Sequence, residues 1–206
     1  MTSSYNPLDF DNIAWSIGNA LLSNPPVPLE SATETRFRGA GIYAIYYVGD
    51  FPTYRLLADA NLENRWAKPI YVGKAVHKGA RRGLTVSENT TALFDRLREH
   101  RASVDAANNL ETSDFFCRWL VVESIFIPLG ETLLINLHQP VWNAVLDGFG
   151  NHDPGSGRRQ GANSPWDVVH PGRAWALLQQ PHARTAAVLE QEVQTYLSER
   201  LEPLQD

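Results

Sequence analysis

Apolar positions recur at helical spacing in some stretches of the chain and run almost unbroken in others. Residues 9–22 place Phe10, Ile13, Ala14, Ile17 and Leu21 on one helical face, and Asn24-Pro25-Pro26 ends that helix. This helix reads as scaffold or as a dimer contact. A polar connection over 23–38 leads to Gly39–Val48, where Ile42, Tyr43, Ile45, Tyr46 and Tyr47 predict a strand. The second strand, Pro69–Lys74, follows an excursion over 49–68 that is too long for a hairpin turn and predicts a short element around Tyr54–Leu62.

Thr90 or Thr91 can cap a helix running to about Ser103. Leu93 and Leu97 form its apolar stripe, and Arg96 and His100 share another side, at the rim of the core. Phe115–Glu123 reads as a third strand and Gly130–Leu137 as a helix with Glu131 in its first turn. Residues 147–173 are rich in glycine and proline and predict an extended loop region anchored by Trp166, Val168 and Val169. A closing helix spans about 182–201. The expected fold is α+β: a small antiparallel or mixed three-stranded sheet flanked by helices, with helical extensions at both ends, all within one domain of residues 1–206.

Composition changes this picture little. The 206 residues are 43% hydrophobic, an ordinary globular proportion. There is no apolar run of membrane-spanning length and no leader-like start, so a cytoplasmic protein is expected. Cys117, the single cysteine, lies among Phe115, Phe116, Trp119 and Leu120 and reads as a buried strand residue.

Charge matters more. The net charge is −5, yet residues 65–101 carry nine basic and three acidic side chains, against acidic flanks on both sides. The basic island comprises Arg65, Lys68, Lys74, Lys78, Arg81, Arg82, Arg96, Arg98 and Arg101. A local patch suffices for phosphate contacts, because screening confines such attraction to about 10 Å at moderate salt.

The island coincides with groups suited to phosphodiester hydrolysis, which needs an activated water and stabilised phosphate charge. Glu131 could hold Mg²⁺, with water and phosphate filling its other positions. Arg96 can fork onto phosphate oxygens. Tyr43 or Tyr71 could take a proton from water, a phenolate being favoured by Arg96, Lys74 and the metal, and His100 could relay it. Tyr43 is the expected general base, with Tyr71 orienting water or phosphate. Asn143, after Pro140-Val141-Trp142, completes the series. His152 with Asp153, or His170, lacks a second ligand pair at zinc-like spacing.

In this order the residues resemble the GIY-YIG nuclease superfamily. Gly41-Ile42-Tyr43 matches its first signature and Tyr71-Val72-Gly73 its second, with valine for isoleucine. Arg96 matches the helix arginine, Glu131 the metal ligand and Asn143 the C-terminal asparagine, over a core of about 39–145. His100 in place of a helix tyrosine, the insertion between the signatures, and the stretches 151–155 and 170–173 make the chain most similar to the type II restriction endonuclease branch. The resemblance implies a homodimer that uses Mg²⁺ or Mn²⁺ to cut both strands of a short palindromic, GC-rich site in double-stranded DNA. Lys74, Lys78, Arg81 and Arg82 are the expected DNA contacts near the site. Arg158, Arg159 and Arg173 are expected to read bases, since arginine pairs well with guanine in the major groove. Two rivals are a structure-directed repair or mobile-element nuclease, which would carry a separate DNA-binding module, and a DNA-binding protein on an inactive nuclease scaffold.

Overall fold

The computed structural model describes residues 6, 8–63, 65–77, 89–155 and 161–201. Its centre is a four-stranded sheet in the order β1-β4-β2-β3, with β1 at Val27–Pro28, β2 at Gly41–Tyr47, β3 at Tyr71–Ala75 and β4 at Phe115–Val121. All the pairings are antiparallel: Tyr43 lies opposite Gly73 on β3 and Trp119 on β4, and Ile45 opposite Tyr71 and Cys117. The expected three strands are present, and the two-residue β1 adds an edge that Val27-Pro28 is too short to announce.

Every residue of β2 is buried, which explains why its sequence is a continuous apolar run rather than an alternation. Tyr43, Ile45 and Tyr47 face a core built from α3 (Arg55–Asn61), α4 (Ala92–Ala106), α6 (Val141–Ala144), α7 (Pro165–Val169) and α8 (Ala186–Ser198). Ile42, Ala44 and Tyr46 face a second core closed by α1 (Phe10–Ser23) and α5 (Ile127–His138). A four-residue helix, α2 (Leu29–Ala32), packs beside β4 and α4. Cys117 is fully buried, and burial pushes its thiol up to about 12.

The insertion at 49–68 is a 3-10 turn followed by α3, and it belongs to the core. Asn61 fastens both of its ends, donating to the carbonyls of Tyr47 (3.1 Å) and Lys68 (2.8 Å) and accepting from the Lys68 N–H (2.9 Å). Two predicted boundaries move. Helix α5 begins at Ile127, with Pro128 in its first turn, where proline's missing N–H costs nothing. Glu131 therefore sits beyond the first turn and gains less from the positive end of the helix. The stretch at 147–173 is not wholly loop. Ser164 caps α7 by accepting from the Asp167 N–H (3.3 Å), and Pro165 occupies the first turn. No helix among the described residues is long and apolar enough to cross a membrane.

Candidate active site

The strand register sets the site. Gly73 lies opposite Tyr43 on β2, and a Cβ at Gly73 would meet the Tyr43 Cζ at 2.7 Å, so the glycine of the second signature is the space into which the first tyrosine ring folds. Tyr71 lies on the same sheet face, its ring centre 6.2 Å from that of Tyr43. Helix α4 crosses this face and brings His100 to both, with ring centres 5.4 Å from Tyr43 and 5.1 Å from Tyr71. His100 Nε2 and the Tyr43 hydroxyl are 2.6 Å apart.

His100 is 1% exposed, so it lies inside the core rather than at the rim expected from helix periodicity. Phe149 covers it, stacked at 4.4 Å and 17°. Burial, reinforced by the charge of Arg96, holds its pKa well below the usual imidazole range. The ring is neutral near pH ~7, so its unprotonated nitrogen can accept a hydrogen bond. Burial likewise raises the Tyr43 phenol well above its ordinary value, an effect Tyr71 increases and Arg96 opposes. Tyr71, which is only partly buried, is raised for the same first reason, and Arg96 again pulls downward.

Arg96 is held from three directions. Its Nη1 donates to Glu99 (2.8 Å) and to His152 Nε2 (2.9 Å), and its Nη2 donates to the Gly150 carbonyl (2.7 Å). A Cβ at Gly150 would stand 2.8 Å from the Tyr71 hydroxyl and 2.9 Å from Arg96 Nη2. The backbone thus approaches both groups so closely that a side chain at Gly150 would displace them. The segment from Gly148 to Asp153 closes over the site.

Glu131 reaches the same strand from the α5 side, where its Oε2 is 2.6 Å from Lys74 Nζ. Val72 and Lys74 alternate with Tyr71 and Gly73, so carboxylate and tyrosines occupy opposite faces of β3, with the Glu131 charge close enough to act on Tyr71. Among the described residues no group of three His, Cys, Asp or Glu side chains is placed to hold a metal. A single carboxylate can nevertheless serve a hard ion whose remaining ligands are water and substrate oxygen, with Lys74 giving up its contact.

Asn143 is spent on the backbone. Its Oδ1 accepts from the Val72 N–H and its Nδ2 donates to the Val72 carbonyl, both at 2.9 Å. The amide pairs with the free edge of β3 as a neighbouring strand would, and the Trp142 N–H extends the pairing to the Ile70 carbonyl (3.0 Å). Asn143 acts on the site through the strand that carries Tyr71.

The expectation for Arg173 is overturned. It is 4% exposed and forms a forked pair with Asp167, Nε to Oδ1 and Nη2 to Oδ2, both 2.7 Å. Further donations go to the carbonyls of Gly148 (2.9 Å), Phe149 (3.2 Å) and Asn151 (3.3 Å), and the guanidinium lies between Trp166 and Trp175. A guanidinium with its donors committed inside the protein cannot read a base edge; Arg173 fixes the segment that covers the site. Lys78, Arg81, Arg82, Arg158 and Arg159 lie outside the described residues. His170 is also structural: it is fully buried against the Tyr54 hydroxyl (2.6 Å) and Asn109 (2.9 Å).

Beside Arg96 opens a cleft of about 1180 Å³, lined also by Arg36, Arg38, Lys74, Glu99 and His152. Sequence reasoning missed Arg36, Arg38 and Glu99. The only signal was the Arg36-Phe37-Arg38 alternation, which lies far from the basic island.

An antiparallel sheet with paired tyrosines, crossed by an arginine-bearing helix and flanked by a carboxylate helix, defines a nuclease domain of the GIY-YIG class. The model of the family described as the Eco29kI GIY-YIG domain matches residues 35–197, and the chain belongs to that family of restriction endonucleases. The match runs well past residue 145 and takes in α7, Arg173 and most of α8, so the covering segment is part of the shared domain. No curated protein matches the chain.

Proposed function

We propose that the protein is a type II restriction endonuclease that hydrolyses both strands of a short palindromic site in double-stranded DNA as a homodimer, with Mg²⁺ held at Glu131. The observation that carries the chemistry is the 2.6 Å contact between the Tyr43 hydroxyl and a neutral, buried His100. Tyr71, the more exposed tyrosine, faces the attacking water, and the proton taken there passes through the tyrosine pair to Nε2. In that direction Tyr43 donates to His100, which holds the proton only in passing, since burial and Arg96 disfavour the imidazolium. This differs from the simpler expectation of Tyr43 as the direct base, because Tyr43 is wholly buried.

Arg96 grips the phosphate by exchanging its present acceptors, the Gly150 carbonyl, Glu99 and His152, for phosphate oxygens. Forked donation to phosphate is the stronger interaction, being charge-assisted in both partners. Glu131 would hold the metal, which when bound would supply positive charge to the phosphate and to the departing oxygen. Lys74, 2.6 Å away, orients the Glu131 carboxylate beside β3. Asn143 is a positioning residue that holds Tyr71 and Val72 in register. Cutting both strands follows from a two-fold dimer presenting one such centre to each strand. The GC-rich character of the site rests on the resemblance to this branch.

Plasmid DNA incubated with the protein and MgCl₂ tests the reading. Wild type should give discrete fragments whose ends map to one recurring palindrome, and chelation should stop cleavage. Glu131→Gln should bind DNA but leave it uncut. Structure-dependent nicks, binding without cutting by wild type, or near wild-type cleavage by Glu131→Gln would each overturn the assignment.

A further inference from the structure

The cleft that Arg96 and Lys74 line extends to a pair of arginines, Arg36 and Arg38. Arg36 and Arg38 are both exposed on the segment leading into β2, and both line the cleft with Arg96 and Lys74. Between them Phe37 is a rivet: its ring stacks on Trp119 at 4.9 Å and 18° and meets the edge of Phe94 at 5.8 Å. The following residue is tied to the start of α4, since the Gly39 N–H donates to the Thr90 carbonyl (2.6 Å) and the Leu93 N–H to the Gly39 carbonyl (3.1 Å). The backbone carrying the two guanidinium groups is therefore fixed relative to the helix that carries Arg96 and His100.

Their electrostatic commitments differ from those of their neighbours. Arg96 is paired with Glu99, and Lys74 with Glu131. Asp95, the other carboxylate on this wall, is engaged by the Thr91 hydroxyl (2.8 Å). Among the described residues Arg36 and Arg38 form no ion pair; Arg36 only donates to the Thr91 hydroxyl (3.2 Å). Two forked cations held by a rigid anchor, on the wall of an open cleft that they share with Arg96 and Lys74, suit a row of phosphates.

We infer that Arg36 and Arg38 form a second phosphate-binding station, which grips the DNA backbone beside the scissile phosphate and sets the register of the strand across Arg96. This rests on the nuclease reading above, and it assigns to the segment before β2 the backbone contacts expected only of the basic island. The contacts are sequence-independent: they contribute affinity and alignment but not base discrimination.

The test is binding of a fluorescently labelled random-sequence duplex, with the metal chelated to prevent cutting, over a series of NaCl concentrations. Arg36→Gln/Arg38→Gln is compared with wild type and with Arg55→Gln/Arg184→Gln, which removes two exposed charges outside the cleft. The slope of log affinity against log salt should flatten by about two for the cleft pair, at about 0.9 per lost phosphate contact, and affinity should fall about tenfold or more. The control pair should leave the slope at its wild-type value, and Arg36→Lys/Arg38→Lys should retain most of it. Wild-type slope and affinity in the Gln/Gln variant would overturn the inference and leave the nuclease reading intact, as would an equal loss in the control pair. Failure of wild type to bind duplex DNA at all would overturn both.

Discussion

Replacing Asn143 distinguishes a residue that touches substrate from one that holds the site in place. The Asn143 amide makes two hydrogen bonds of 2.9 Å to one residue on the open edge of β3. Asn143→Ala leaves the Val72 N–H and carbonyl without these partners. A hydrogen bond contributes about 1 kcal/mol net, and an unsatisfied buried group costs about 1–3 kcal/mol. The edge is only partly buried, so water recovers some of the loss, and a total of about 2–3 kcal/mol is expected. For a chain of this size that lowers the thermal midpoint by about 4–12 °C. Tyr71 precedes Val72, so cleavage should fall as well, even at temperatures where the variant is fully folded.

The assay pairs urea unfolding with single-turnover cleavage at low temperature. Asn143→Asp separates the two bonds. The carboxylate can still accept from the Val72 N–H but sets an oxygen against the Val72 carbonyl, so it should be destabilised at neutral pH and recover as the carboxylate protonates. Loss of cleavage with wild-type stability in Asn143→Ala would refute the clamp and place the amide against substrate. Loss of stability with wild-type turnover would show that the register of β3 does not matter to catalysis.

Two other perturbations test the buried histidines. Tyr43→Phe deletes one hydroxyl and should lower single-turnover cleavage about 10²-fold or more; His100→Ala should cost a comparable factor, and the double variant little beyond either single one, whereas multiplicative losses would break the relay. Stability should fall on acidification from about pH 6.5, because His170 is pushed down to about 3 and His100 well below its ordinary value, both chiefly by burial. Above that pH both states are neutral and the contribution is complete; below it the unfolded chain binds protons that the native state refuses, so each group removes about 1.4 kcal/mol per pH unit until its folded pKa is reached. Urea midpoints between neutral and mildly acid pH should therefore shift less steeply in His170→Gln, and an unchanged pH dependence would refute the assignment.

The legible parts of this fold were those written in local periodicity. Strand β2 and helices α1, α4 and α5 each carry enough apolar positions at the right spacing to declare their type, and the order of Tyr43, Tyr71, Arg96 and Glu131 marks where the candidate site lies. What stayed hidden depends on long-range pairing. Nothing local separates His100 at a helix rim from His100 under Phe149, because the covering ring comes from far along the chain. Arg36 and Arg38 were obscured by charge counting, which followed the dense island and passed over two arginines whose importance comes from the Phe37 anchor between them. The start of α7 was readable in principle, since Ser164-Pro165-Trp166-Asp167 has a capping serine, a first-turn proline and a first-turn acid.

Arg173 shows why arginine content alone misleads in a nucleic-acid enzyme. A glycine-rich segment near a catalytic centre cannot hold its own shape, because it has few side chains to bury and its carbonyls point in several directions. One guanidinium answers both needs. It presents its donors to Asp167 and to the carbonyls of Gly148, Phe149 and Asn151, while its flat faces pack between Trp166 and Trp175. The pairing leaves no uncompensated buried charge, the condition under which burying an ion is tolerable. Its consequence reaches the chemistry: the segment so fixed sets Phe149 over His100 and the Gly150 carbonyl on Arg96. A residue expected to read DNA instead shapes the wall under which His100 is kept buried and neutral.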